Sequence, residues 1–179
     1  EGFHQLQVLN ISRLALHSGN LSTKTLPRDI VILAASATNV VSIDLDGSGG
    51  GLKSLVELDL SNTTSSVRYV VNTPMLRSID LSYNEVRNLS SLLRAVSAEQ
   101  LRELNLEGNL IDKIHSNLWR KLPHLTKLNL NSNPIETLTL HSFKGLAHLN
   151  ELDMRNLSLT HLDSRCLQSL RSVMCAARR

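Results

Sequence analysis

The sequence predicts an α/β solenoid, a curved stack of short coils with a parallel β-sheet along its concave side. Irregular, 3-10 or short-helical segments are expected on the convex side. Three observations carry this prediction. The pattern L-x-x-L-x-L-x-x-N-x-L recurs, most clearly in LRSIDLSYNEV (Leu76 to Val86), LRELNLEGNLI (Leu101 to Ile111) and LTKLNLNSNPI (Leu125 to Ile135). A unit this short cannot bury its own apolar face, so neighbouring units must stack around one continuous core. Within each L-x-L segment apolar residues alternate with polar ones, which reads as a short strand with one face turned inward.

Taken in order, the coils begin at Leu6, Ile30, Leu55, Leu76, Leu101, Leu125 and Leu149, with a partial one at Val173. The whole of 1–179 is therefore read as one elongated domain. Three residues on stand Leu9, Leu33, Leu58, Ile79, Leu104, Leu128, Leu152 and Ala176, expected to point into the core. The N-terminal third is less regular, and VVSIDLD (Val40 to Asp46) offers an alternative strand. Placing the sheet strand there would leave too few residues before Leu55, so the strand after Ile30 is preferred. Gly47 to Gly51 then reads as an outer bulge. A phosphate loop is disfavoured, because no helix is signalled after the glycine run.

The second half of the coil repeats as well, in LWRKLPHL, FKGLAHL and LQSLRSV. Trp119, Phe143 and Leu167 fall on one slot, and Leu122, Leu146 and Leu170 on the next, as convex-side core residues. With these motifs the chain resembles leucine-rich repeat proteins of the 24-residue class found in animal extracellular proteins, of Toll-like receptor and insect immune or adhesion type. The resemblance implies a leucine-rich-repeat horseshoe and a role in recognition. It also implies that Asn84, Asn109 and Asn133 form a structural ladder, turned inward to bond backbone groups left open by the bend after each strand. Extracellular members usually close their ends with cysteine-rich caps. Here only Cys166 and Cys175 are present, so this reads as a piece of a longer solenoid or as one whose ends are covered otherwise. Those two cysteines could pair as a minimal cap, or Cys175 could bond another chain.

Several chemistries are excluded or disfavoured by pattern. There is no apolar run of the ~18 residues that a membrane span needs. G-x-S-x-G, H-E-x-x-H and an EF-hand loop are all absent. An open acidic sheet lacks the apolar pocket that raises a glycosidase carboxylate's pKa. His124 and His148 occupy equivalent slots and are read as exposed loop residues, not as a metal pair. The chain carries a net charge of +3, but its basic residues are scattered outside instead of lining a groove. The expectation is therefore no enzyme, no cofactor, no metal, no nucleic-acid partner and no membrane insertion by this segment.

What remains is a recognition surface. The expected inner face is acidic from the third coil onward, with Glu57, Asp59, Asp80, Glu103, Glu107, Glu151 and Asp153 against Lys127 and Arg155. Three columns should meet a partner: Ser78, Glu103, Lys127 and Glu151; Asp80, Asn105, Asn129 and Asp153; Ser82, Glu107, Asn131 and Arg155. Tyr83 is the concave aromatic and the expected hot spot. Toward the N-terminus the face turns small and apolar, with Val8, Ile32, Ala34 and Ala37. Five N-x-S/T sequons, at Asn10, Asn20, Asn62, Asn88 and Asn156, are glycosylation candidates. Glycans at Asn10, Asn62 and Asn156 would bracket the window from Leu76 to Leu125. The expected partner is another protein of basic or mixed charge, met outside the cell by an innate-immune or signalling receptor. The alternative is an adhesion or matrix module forming homophilic dimers, and a third reading is an intracellular scaffold.

Overall fold

The computed structural model describes residues 5–15, 20–22, 26–39, 42–44, 52–63, 73–95, 99–168, 170 and 174–176. Twelve strands occur among them: β1 (Val8–Asn10), β2 (Asn20–Ser22), β3 (Ile32–Ala34), β4 (Ser42–Asp44), β5 (Glu57–Asp59), β6 (Ser78–Asp80), β7 (Glu103–Asn105), β8 (Lys127–Asn129), β9 (Thr137–Leu138), β10 (Glu151–Asp153), β11 (His161–Leu162) and β12 (Met174–Ala176). Eight of them form a parallel sheet in the order β1-β3-β5-β6-β7-β8-β10-β12. Each coil thus contributes one strand beside its predecessor, the arrangement the alternating pattern predicts. Leu33, Leu58, Ile79, Leu104, Leu128 and Leu152 stand in register and are buried, and their strand neighbours face outward.

The last coil differs from its expected register. Met174, and not Cys175, pairs with Glu151, which puts Cys175 on the line of Leu152. The coil that was expected to start at Val173 is therefore one residue shorter in its return. A one-residue slip exchanges the two faces of a strand. By register, Cys175 and not Ala176 is the strand partner of Leu152.

The bend after each strand uses a backbone conformation that the pattern does not announce. Arg13, Ala37, Asn62, Tyr83, Gly108, Ser132 and Asn156, one per coil, all have φ between 51° and 65°. Such left-handed geometry is disfavoured for residues with a Cβ. Stacking holds it in place, since the N–H of Tyr83 donates to Glu107 O (2.7 Å), that of Gly108 to Asn131 O (2.9 Å) and that of Ser132 to Arg155 O (3.0 Å).

Below the bend run the asparagines. Asn109 Nδ2 donates to Leu81 O (2.8 Å) and Leu106 O (3.0 Å), and its Oδ1 accepts from Val86 N (3.0 Å). Asn133 repeats this one coil on, bonding Leu106 O, Leu130 O and Ile111 N. Asn84 does the same toward Leu60 O, Leu81 O and Thr63. Each amide thereby satisfies backbone groups of two coils at once.

Among the described residues the convex side carries one helix, α1 (Leu89–Ala95), and two 3-10 turns, Leu118–Lys121 and Ser164–Leu167. Asn88 Oδ1 accepts from Ser91 N (3.0 Å), capping α1. Trp119 and Phe143 are fully buried, and the indole of Trp119 donates to Ser142 O (2.7 Å). Cys166 is buried in the same core; the side chain of Cys175 lies outside what the structure describes. Two separate two-stranded ladders lie outside the main sheet. There β2 pairs with β4, β9 pairs with β11, and Lys113 bridges to Thr137. Within VVSIDLD, Ser42–Asp44 is thus a strand, but it pairs with β2 outside the main sheet, while β3 holds the place in that sheet. Gly47 to Gly51 fall outside the described residues. No helix among the described residues is long and apolar enough to cross a membrane.

Candidate functional site on the concave face

Four adjacent strands, β6, β7, β8 and β10, line an open trough of about 600 Å³. Ser78, Asp80, Glu103, Asn105, Lys127, Asn129, Glu151 and Asp153 all border it, so eight of the expected contact residues are brought together by the sheet. The physical reason is the pleat. Residues on either side of the buried Leu104 or Leu128 must face the hollow, and parallel pairing sets them in rows.

The second column has a duty inside the fold as well. Asp80 Oδ1 accepts from Ser82 N (2.8 Å), Asn105 Oδ1 from Glu107 N (3.2 Å), Asn129 Oδ1 from Asn131 N (3.0 Å) and Asp153 Oδ1 from Arg155 N (3.1 Å). These side chains fasten the bend two residues on, as short polar residues do in turns. Part of the acidity of this face therefore belongs to the scaffold.

The third column departs from expectation at two positions. Ser82 and Asn131 are buried, and their polar atoms serve the chain itself. Ser82 Oγ donates to Asp80 Oδ1 (2.6 Å), and Asn131 Nδ2 donates to Glu107 Oε1 (3.0 Å). They support the rim more than they present a surface.

Glu107 is the hub of that rim. Its Oε1 accepts from Tyr83 Oη (2.8 Å) and Asn131, and its Oε2 from Asn129 Nδ2 (3.1 Å). Tyr83 itself is 55% exposed. Its ring lies against Gly108, where an added Cβ would come within 2.6 Å of Cδ1. Only glycine leaves room for the ring there. The hydrogen bond to the Glu107 carboxylate, with that carboxylate's charge, holds the phenol's pKa above its ordinary value. The sequence signal for this arrangement is a glycine, Gly108, one coil after the tyrosine of the bend column.

Charge pairs organise the C-terminal side of the trough. Lys127 Nζ lies 3.4 Å from Glu103 and 3.8 Å from Glu151, and the Glu103 bond leads the rise in its pKa. Arg155 grips Asp153 at 2.6 Å, and this bond holds the carboxyl below its usual range. The apolar N-terminal end of the face also takes its expected place, with Val8 and Ala37 exposed and Ile32 and Ala34 half-buried.

Of the sequons, Asn10, Asn62, Asn88 and Asn156 are exposed, and the side chain of Asn20 is not described. Asn62 and Asn156 both occupy the left-handed bend column that also carries Tyr83. His124 and His148 stack with ring centroids 6.3 Å apart, both exposed, just before their strands. Among the described residues no group of three or more His, Cys, Asp or Glu could hold a metal.

Comparison with known proteins places this architecture. The family model described as Leucine rich repeat matches residues 74–135, 99–156 and 123–174, together more than half of the chain. A search of curated proteins returns no match. Among solved structures, the receptor in the crystal structure of a TLR13-ssRNA13 complex superposes with a TM-score of 0.72 at 23% identity. The match covers 88% of this chain but only 23% of that one, so the chain spans about a quarter of its neighbour's length.

Proposed function

Since the chain belongs to the leucine-rich repeat family, we propose that it is a recognition segment of an extracellular protein that binds another protein through its concave face. The observation that carries this reading is the trough across β6, β7, β8 and β10, where Asp80, Asn105, Asn129 and Asp153 are already held by hydrogen bonds. Side chains held in place before contact lose little freedom on binding, which favours affinity. The acidic excess on this face suits a partner of basic or mixed charge. A role in innate-immune or signalling reception is the reading that best fits the shared architecture with a Toll-like receptor. The ssRNA named with that receptor concerns that receptor; an acidic trough is a poor match for a polyanion.

The test is a pull-down from extracellular fluid or cell surfaces with glycosylated protein. Tyr83→Ala combined with Glu103→Lys is expected to abolish capture of the partner while circular dichroism stays unchanged. Undiminished capture would move the function to the convex or lateral side. A homophilic adhesion role predicts instead self-association at micromolar concentration in size-exclusion chromatography, and a lasting monomer would count against it.

A further inference from the structure

Between β6 and β10 the carboxylates of the concave face fall into two groups that are indistinguishable in sequence. On the C-terminal side each has a cation of its own chain, with Lys127 between Glu103 and Glu151 and Arg155 on Asp153. Asp80 and Glu107 are different. Their hydrogen bonds come from Ser82, Asn105, Tyr83, Asn129 and Asn131, all neutral donors. Neither takes part in an ion pair among the described residues. The nearby Arg155 is committed to Asp153 through both Nε and Nη2. Neutral donors satisfy oxygens but leave the negative charge in place.

The acceptor positions can be counted. Asp80 Oδ1 takes two bonds from Ser82, and its Oδ2 takes one from Asn105. Glu107 Oε1 takes two, from Tyr83 and Asn131, and its Oε2 takes one, from Asn129. An ionised carboxylate has about four acceptor sites. One therefore stays open on Asp80 Oδ2 and one on Glu107 Oε2. Beside them stands Tyr83, more than half exposed and pinned by Gly108 and Glu107.

We infer that Tyr83, Glu107 and Asp80 form an anchoring platform for an arginine side chain of the partner protein, a proposal that rests on the concave face being the binding surface. A guanidinium is planar, carries five N–H donors and stacks on aromatic rings, so it can cover the tyrosine while bonding an open carboxylate position. The ammonium of lysine has no such plane and fits less well. The C-terminal carboxylates compete less, because Lys127, shared by Glu103 and Glu151, and Arg155 on Asp153 already stand against them.

The experiment titrates N-acetyl-arginine-amide into the protein carrying 13C-labelled tyrosine rings, followed by NMR. The chain has only two tyrosines, Tyr69 and Tyr83, so a Tyr83→Phe sample assigns the signals. The expected result is a saturable shift of the Tyr83 ring. N-acetyl-citrulline-amide, the neutral analogue, should produce none at the same concentration. Glu107→Gln should weaken the arginine response about tenfold, the loss of one charge-assisted bond, whereas Glu136→Gln on the flank leaves it unchanged. Equal shifts from citrulline, no saturable shift at Tyr83, or full affinity in a folded Glu107→Gln variant would each overturn the platform. Failure here beside a partner still lost in the Tyr83→Ala, Glu103→Lys variant sinks the arginine assignment alone. An arginine response beside a partner insensitive to that variant sinks the concave reading instead.

Discussion

Ile135 and Leu138 expose none of their surface, while Leu159 and Leu162, in the same slots one coil later, expose 38% and 56%. The residue types hardly differ. What differs is the neighbour, because each coil in a solenoid is covered by the one that follows it. The asparagine slot tells the same story. Asn84, Asn109 and Asn133 are buried and bond two coils each, whereas Leu14 in this slot of the first coil is exposed and Leu157 in the last full coil is only half-buried. Interior coils are specified by mutual cover, and end coils are left with the same pattern but without its reward.

Substitutions can break or sharpen this contrast. The largest effect is expected at Leu138→Ala, a loss of about 2–5 kcal/mol from cavity formation. The equivalent Leu162→Ala should cost less than about 0.5 kcal/mol, as exposed substitutions do. Urea denaturation of the two variants measures both, and equal losses would refute the account of cover. Next comes Asn109→Ala, expected to destabilise by about 1–3 kcal/mol by orphaning Leu81 O, Leu106 O and Val86 N. The same assay reads it, and a neutral result would mean that those groups find other partners.

A smaller effect of opposite sign is expected in the middle of the stack. Thr73 occupies the slot that Leu52, Leu122 and Leu146 fill elsewhere, fully buried, and its hydroxyl has no hydrogen-bond partner among the described residues. Thr73→Val keeps the shape and removes the stranded group, so stability should rise by about 1 kcal/mol. A fall in melting temperature would show that the hydroxyl is satisfied. The smallest effect belongs to Asp153, whose folded pKa is depressed by Arg155. Its stabilising contribution is present above the unfolded carboxylate pKa of about 3.9 and is lost as pH falls through the folded value. The difference in melting temperature between the parent protein and Asp153→Asn should therefore be constant near neutrality and shrink below about pH 4. A difference that persists in acid would assign it to something other than this charge pair.

Much of the fold was legible because the strand pattern is local. The buried line from Leu33 to Leu152 follows from period-two alternation, and so does the facing of Ser78, Glu103 and Lys127 into the trough. Three things escaped that reading. The two small ladders outside the main sheet, β2 with β4 and β9 with β11, involve only two or three residues per coil and have no distinctive alternation. The left-handed bend holds Tyr83, Arg13 and Ala37 as well as Gly108, so residue type gives no warning of it. The burial of Ser82 and Asn131 depends on what stands beside them in the adjoining coils.

By itself, then, the chain's order of residues determined a stack of parallel coils with an acidic hollow, since apolar spacing and strand alternation act within a few residues. Only the tertiary structure decided which charges are paired, where Tyr83 rests and which residue of the last strand pairs with Leu152. Those outcomes turn on distances between residues about one coil apart, which stacking and curvature set and no local pattern encodes.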